Sequence, residues 1–372
     1  MMSAETEWAP DQVRAMRMDF PYLDECVYLN SASAGVSWKG QGTAAAAFYD
    51  DAKSRGMNGM ATWQTAAVDV RARLGRHLGV RDDEIHFASS TTEALNLVIG
   101  AVQWRQGGEV VFAADEFPSV VLACESAGHS GATVRRVEFG AEDARESALI
   151  EALTPATRVM AVSHVHWVTG TRLDLARLAA ACHAVGALLV VDGIQAMGAI
   201  PIELGETDVY CGAVFKWLLS GFGLAVLVMR DRAREVLSPR VRGYNNEPPS
   251  LEIQHSHVNY PGLYALSSCL NYLETVIGWD AVHARVRALT AELEFGLADL
   301  GLRVITPLDA RAGIVSCEVP DAVAIRDRLA DESIFVEARG GLLRVSPHFY
   351  NTSADLTAFL GAVSRNGPLS AR

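Results

Sequence analysis

Between about residues 85 and 230 the chain alternates between two textures. Short, nearly unbroken apolar runs ("EIHFA", "EVVFAA", "TVRRVEF", "RVMAVSHV", "ALLVVD", "DVYCG" and "LAVLVMR") are separated by Ala- and Leu-rich stretches such as "EALNLVIGAVQW" and "DLARLAAACHAVG". Runs that are apolar at successive positions predict strands covered on both faces, and the stretches between them predict the covering helices. The pattern predicts an α/β three-layer sandwich with a mostly parallel sheet, whose chemistry sits beyond the carboxyl ends of the strands. The last two runs are joined by "AVFKWLLSGFG" (213–223) without a helix, so one strand there is a candidate for running antiparallel.

After residue 230 the texture changes. "SPRVRGYNNEPPSLEIQHSHVNYPG" is polar and irregular with four prolines and reads as a crossover. Two helical patterns follow, "LYALSSCLNYLETVIG" and "DAVHARVRALTAELEFGLADLG". Then "LRVITP", "AGIVSCEVP", "SIFVEARGGLLRVSP" and a helix from about Ser353 predict a smaller α+β C-terminal domain. The expected division is an N-terminal segment 1–20 that packs on either unit, a large domain 21–240, and a small domain 241–372 that includes the crossover and helices.

Composition narrows the function classes. The net charge is -12, with no basic stretch above the acidic background, which argues against a nucleic-acid partner. Six cysteines lie scattered without a C-x-x-C pair, so neither a zinc site nor a disulfide framework is indicated. The opening "MMSAETEWAPDQVR" lacks a basic-then-apolar signal, and no run approaches the roughly 18 apolar residues of a membrane span. The expectation is a soluble cytoplasmic protein.

Of the 32 basic residues only Lys39, Lys53 and Lys216 are lysines. Lys216 sits among apolar and aromatic neighbours. Its stem could pack while its head reaches water. Alternatively it carries chemistry closed to arginine, losing its proton near neutral pH and attacking a carbonyl. Asp192 ends the apolar run "ALLVVD" just where Gly193 opens a turn, either as a turn or N-cap residue or facing a ligand at the sheet edge. In "FASSTTEALNLVIG" Ser90 and Glu93 form a capping-box pattern, and the hydroxyl-rich helix start is also suited to phosphate. These two readings are compatible. A strand-end acid, a downstream lysine and such a helix start together match the needs of pyridoxal phosphate: a Schiff-base lysine, a partner for the ring nitrogen and a phosphate cradle.

The ordered segments "VYLNSASAG", "STTEALNLV", "DEFPSVV", "SHVHWVTGTRLDL", "VDGIQAMG", "FKWLLSGFGLAVL", "NYPGLYAL" and "LRVSPHFYNT" cover nearly the whole chain. In them the sequence resembles fold-type I pyridoxal phosphate enzymes of the aminotransferase class V group, which includes cysteine desulfurases, selenocysteine lyases, isopenicillin N epimerase and kynureninase. The resemblance implies Lys216 as the aldimine lysine, Asp192 as partner of the pyridine nitrogen, and Gln195 near the phenolic oxygen. It implies Thr91 and Thr92 at the phosphate and Phe117 stacked over the ring. For an α-amino-acid substrate it implies Arg339 as the first candidate to fork onto the α-carboxylate, with Arg344 close behind and Trp167 and Asn30 nearby. It also implies a homodimer with active sites at the interface.

Three departures bear on the reaction. Ala213 and Phe215 stand where desulfurases carry a serine and a histidine that bind phosphate, so other donors are needed; His257, or His255, reaching across the dimer interface is a candidate. Trp167 replaces an asparagine near the substrate, with His166 beside it as a candidate acid or base. No cysteine follows Arg339 to accept sulfur, and Cys317 lies inside an apparent strand, so persulfide-forming chemistry is disfavoured. The implied reaction is first a lyase cleaving a carbon-sulfur or similar β-bond, then a transaminase, then an epimerase or racemase. A non-catalytic relative is the outsider, and a nucleotide-dependent enzyme lacks its glycine motifs.

Overall fold

A computed structural model describes residues 8–104, 107–138, 145–247 and 252–366. Residues 1–7 of the expected N-terminal segment, 139 at the end of "TVRRVEF" and 248–251 of the expected crossover lie outside the described residues. The strands are β1 (Val27–Tyr28), β2 (Ile85–Ala88), β3 (Glu109–Ala113), β4 (Thr133–Val137), β5 (Thr157–Ser163), β6 (Leu188–Asp192), β7 (Val209–Ala213), β8 (Ala225–Met229), β9 (Val315–Glu318), β10 (Ile334–Phe335), β11 (Glu337–Arg339) and β12 (Leu342–Val345). The central sheet has seven strands in the order β2-β8-β7-β6-β5-β3-β4. Its pairings from β4 to β7 are parallel, and β8 runs antiparallel to both β7 and β2. The helix-free link after β7 leaves no room for a right-handed crossover, so the chain has to return antiparallel.

Period-2 geometry explains why these runs are apolar throughout. Val111, Met160, Val162, Leu189, Val191 and Tyr210 belong to the core on one face. Their chain neighbours Val110, Phe112, Val159, Ala161, Val190 and Cys211 belong to the core on the other. Each fully buried large side chain contributes roughly 1.5–3 kcal/mol, so both layers are needed. One layer includes the helix Thr91–Ala101, started by Ser90, whose Oγ accepts the Glu93 N–H at 3.1 Å. The Glu93 carboxylate accepts from the Ser89 N–H, one residue before the position a capping box uses.

A third core gathers β9, β12 and the helices Trp279–Asp299, Ala322–Asp331 and Ser353–Asn366. In it β11, β12 and β9 form an antiparallel sheet, and β1 pairs in parallel with β10. The run "LRVITP" makes only an isolated bridge, Val304 to Cys317, in place of the expected strand. Ahead of β2, where the apolar pattern assigns no element, the helices Lys39–Arg55 and Met60–Leu78 form. The helix Tyr260–Asn271, in the segment expected in the smaller domain, puts Leu263, Leu266 and Leu270 into the first core. Residues 8–20 bind the C-terminal part of the chain. Phe20 is fully buried against Tyr272, Phe349 and Tyr350, and Arg17 pairs with Asp355 at 2.8 Å. Among the described residues no helix is long and apolar enough to cross a membrane.

Candidate active site

Ser163, Asp192 and Ala213 are the last residues of β5, β6 and β7, three adjacent parallel strands, and all three line one cavity at the sheet's carboxyl edge. The cavity encloses about 550 Å³ of empty space, partly open to solvent. Lys216 enters it from the turn after β7. That turn is tightly held: the Gly35 N–H donates to the Phe215 carbonyl at 3.0 Å, and a Cβ on Gly35 would come within 2.1 Å of the Lys216 carbonyl oxygen. Leu219 closes the turn at φ 57°, a left-handed conformation unusual for leucine. Trp217, 1% exposed, anchors the other side by donating from Nε1 to Gln195 Oε1 at 3.0 Å.

Lys216 is buried, and among the described residues its ammonium makes no hydrogen bond. Its nearest ring neighbours are Phe215 and Phe117, with centroids 5.8 and 6.0 Å from Nζ. Burial pushes its pKa down to about 8, with Arg344 and Arg339 adding to the shift and Asp192 opposing it. Asp192 accepts the Ile194 N–H at 3.0 Å, and burial raises its carboxyl pKa to about 6. Lysine and aspartate face the same cavity without forming an ion pair, so there is space between them. Glu116 lies behind: it accepts from the Ser163 N–H at 3.0 Å and from the Ser163 hydroxyl, and burial raises its pKa.

Hydroxyls gather at one end. The N–H groups of Thr91 and Thr92 have no acceptor within their helix. Thr91 Oγ1 accepts the Ala213 N–H at 2.8 Å. Thr92 Oγ1 lies 2.7 Å from Ser119 Oγ, at the start of the helix Pro118–Ser126. Two helix N-termini therefore converge where Ala213 and Phe215 offer no side-chain donor. Gln195 donates from Nε2 to the Ala32 carbonyl at 3.0 Å, which leaves one amide proton free.

Thr91, Thr92, Phe117, Trp167, Asp192, Gln195 and Lys216 all line this cavity. Other sequence candidates do not. Both His166 nitrogens are engaged, Nδ1 with Thr169 at 2.9 Å and Nε2 with the Asp115 carbonyl at 3.1 Å. Burial and the Arg145 charge hold its pKa near 4, so His166 is withdrawn as an acid or base. His257 and His255 line a neighbouring cavity. Asn30 is bridged through its main chain to Ser346, with its Oδ1 buried and lacking a partner among the described residues. Arg339 is exposed and paired with Glu337 at 3.2 Å. Arg344 reverses the expected ranking: it is buried, donates to the Trp167 carbonyl and Ser33 Oγ at 2.8 Å each, and keeps an unpartnered Nε. Cys317 is buried in β9, where burial raises its thiol pKa to about 12, so it is not a nucleophile. Sequence reasoning missed Ser119, Ser163 and Glu116; a serine in the first turn after Pro118 was the one local signal for the first of them.

A buried unpaired lysine, a strand-end carboxyl and a converging pair of helix N-termini form a donor set that fits a flat cofactor with an aldehyde, a ring nitrogen and a phosphate. The architecture is that of the fold-type I pyridoxal phosphate enzymes. The chain belongs to the aminotransferase class-V family, whose sequence model matches residues 27–359. Isopenicillin N epimerase from Amycolatopsis lactamdurans is 30% identical over 326 residues, 77% of this chain and 81% of that protein. A cystine C-S lyase, solved with its product cysteine persulfide, matches with TM-score 0.87 at 21% identity over 94% of this chain and 100% of that one. The apo cysteine desulfurase from Thermococcus onnurineus NA1 matches with TM-score 0.85 at 23% identity over 98% and 99%. At these identities the two structures establish the fold.

Lysine reactivity is a direct test of the cavity. The neutral amine is the nucleophile, so modification of Lys216 by a small aldehyde with borohydride is expected to rise with pH through a midpoint near 8. Peptide mass mapping separates it from Lys39 and Lys53; a Lys216 midpoint at the ordinary lysine value, about 10.4, would contradict the buried environment.

Proposed function

We propose that the protein is a pyridoxal phosphate-dependent enzyme acting on an α-amino acid, and that it cleaves a carbon-sulfur or similar bond at the β-carbon. The observation that carries the cofactor reading is the buried, unpaired Lys216 sharing a cavity with Asp192 at the sheet's carboxyl edge. Pyridoxal phosphate, when bound, supplies an aldehyde for condensation with amines and a ring that accepts the electrons left at the substrate α-carbon.

The residues have the following roles in this reading. Lys216 would hold the cofactor covalently, and once the substrate amine displaces it, the freed Nζ, with its lowered pKa, would take the α-proton near neutral pH. Asp192, disfavoured as an isolated buried anion, is stabilised by a protonated ring nitrogen and keeps that proton in place. The free amide proton of Gln195 is directed to the ring oxygen. Thr91, Thr92 and Ser119 hold the phosphate with main-chain N–H groups and hydroxyls, and Phe117 stacks on the ring. Arg344 binds the α-carboxylate, because its buried head keeps donors free while Arg339 is exposed and paired.

Lyase chemistry is favoured by the likeness to a cystine C-S lyase together with a cavity lining that holds no cysteine; Cys26 is half-buried and outside that lining, and the other five cysteines are buried. Epimerisation is the second reading, favoured by the 30% identity to an isopenicillin N epimerase. A cytoplasmic homodimer belongs to the proposal. His257 lies beside exposed Tyr244, with ring centroids 5.0 Å apart, and with exposed Val68 borders a surface cavity of mixed polar and apolar lining, which is the face assigned to a second copy.

Loaded protein treated with borohydride is expected to retain cofactor on Lys216, and Lys216→Ala to retain none; retention in that variant would overturn the anchoring role. Pyruvate and ammonium from a β-substituted alanine support the lyase. Stoichiometric pyridoxamine phosphate without ammonium would sink it, and exchange of the α-hydrogen with inversion would establish the epimerase. Steady-state kinetics should show Arg344→Ala raising KM by about tenfold to a hundredfold, the loss of a charge-assisted pair, and Arg339→Ala changing it by less than about threefold. Sedimentation is expected to give about twice the 40.0 kDa chain mass, and a monomer with full activity would remove the shared-site element.

A further inference from the structure

The carboxylate site and the most aromatic wall of the cavity adjoin each other. Arg344 donates to the Trp167 main-chain carbonyl at 2.8 Å and its charge acts on Lys216, while the Trp167 side chain lines the cavity that Lys216 enters. The indole is fixed from two sides: Nε1 donates to the Asp115 carbonyl at 3.1 Å, and the ring meets Phe117 edge-on, centroids 5.4 Å apart at 81°. Phe215 also lines the cavity, at the end where the two helix starts converge, and stacks on the exposed Phe222 outside it.

The polar groups of the cavity are mostly committed. The Thr91 hydroxyl accepts from Ala213, the Ser163 hydroxyl donates to Glu116, and Gln195 is held between Ala32 and Trp217. Thr92 and Ser119 pair with each other at the helix starts. A polar side chain placed beside Trp167 would meet few free partners on the cavity wall. An apolar ring there gains burial and edge-on or stacked contacts with the aromatic walls.

We propose that this site selects α-amino acids whose β-carbon carries a bulky apolar group, above all an aromatic one, with Trp167 as the determinant of that choice. The proposal rests on the pyridoxal phosphate reading of the same cavity. It accounts for an indole standing where the resembling desulfurases carry an asparagine.

The test uses the cofactor-loaded protein and three ligands without a readily leaving β-substituent: L-phenylalanine, L-alanine and L-aspartate. Cofactor uptake is measured first, by absorbance, before any amino acid is added. Dissociation constants follow from calorimetry and from the change in that absorbance. L-phenylalanine is expected to bind at least about tenfold more tightly than L-alanine, with L-aspartate the weakest, as an apolar pocket without free partners requires. At equal cofactor occupancy, Trp167→Ala is expected to remove most of the advantage of L-phenylalanine, and Trp167→Phe to keep it. L-alanine or L-aspartate binding the parent as tightly as L-phenylalanine would overturn the proposal without touching the cofactor reading, and needs no variant. An advantage unchanged in a loaded Trp167→Ala would remove Trp167 as its source. A parent protein that takes up no pyridoxal phosphate overturns the cofactor reading, and this inference with it.

Discussion

An ammonium and a carboxyl held out of water at one sheet edge, without touching each other, form the constraint around which this molecule is arranged. Leaving both groups buried and unpaired is costly, and burial shifts both toward their neutral forms, Lys216 downward and Asp192 upward. Closing the gap into an ion pair would recover part of that cost. Each group sits on firmly held backbone: Asp192 ends a fully buried strand, and Lys216 belongs to a turn held by Gly35, the positive φ of Leu219 and the buried indole of Trp217. A partner carrying both an aldehyde and a basic ring nitrogen would satisfy the two at once.

The fold supplies this geometry through strand order. β5, β6 and β7 lie side by side and parallel, so their carboxyl ends deliver Ser163, Asp192 and Ala213 to one line. Gly193 then makes the turn after Asp192 in a place where any Cβ would lie 2.1 Å from the Tyr210 ring. The short antiparallel return through β8 keeps Lys216 over the same edge, where a helical crossover would have carried the chain away across a face of the sheet. The two helix starts at Thr91 and Pro118 follow β2 and β3, and the phosphate-suited end is assembled from them.

Much of this was legible in the residues. Unbroken apolar runs marked all seven central strands, and a strand-end acid with a lone downstream lysine marked the cavity. What stayed hidden required knowledge of direction. Arg339 and Arg344 fall on one face of the β11–β12 hairpin, paired with Leu342 and Glu337, so strand alternation does not tell them apart. Which arginine points inward was therefore decided by tertiary structure. His166 lies near the cavity in sequence, yet a tight turn through Thr169 takes its ring away to Asp115. Ser119 and Glu116 belong to a different strand-helix connection from the motifs around Thr91 and Ser163, and only the packing of β3 against β5 brings them together. Of the helices before β2, Lys39–Arg55 has no buried residue, so its apolar period carries little signal, whereas Met60–Leu78 buries Trp63, Ala67, Val70, Leu74 and Leu78 at helical spacing, a signal that a search for continuous apolar runs passes over.

The departures from the family pattern share one physical direction. A polar pair before the lysine has become Ala213 and Phe215, and an asparagine near the substrate has become Trp167. Each change removes hydrogen-bonding capacity from the cavity, and Phe215 and Trp167 add aromatic surface. Losing donors at the phosphate end is tolerable because a second helix start brings Ser119 within 2.7 Å of Thr92. In the proposed reading the substrate end has no comparable replacement among the described residues, and Arg344 would be its main polar contact beside the Trp167 ring. Selection by such a surface works through burial and shape, with the carboxylate fixing orientation, and it places the discriminating contacts on residues that take no part in moving a proton.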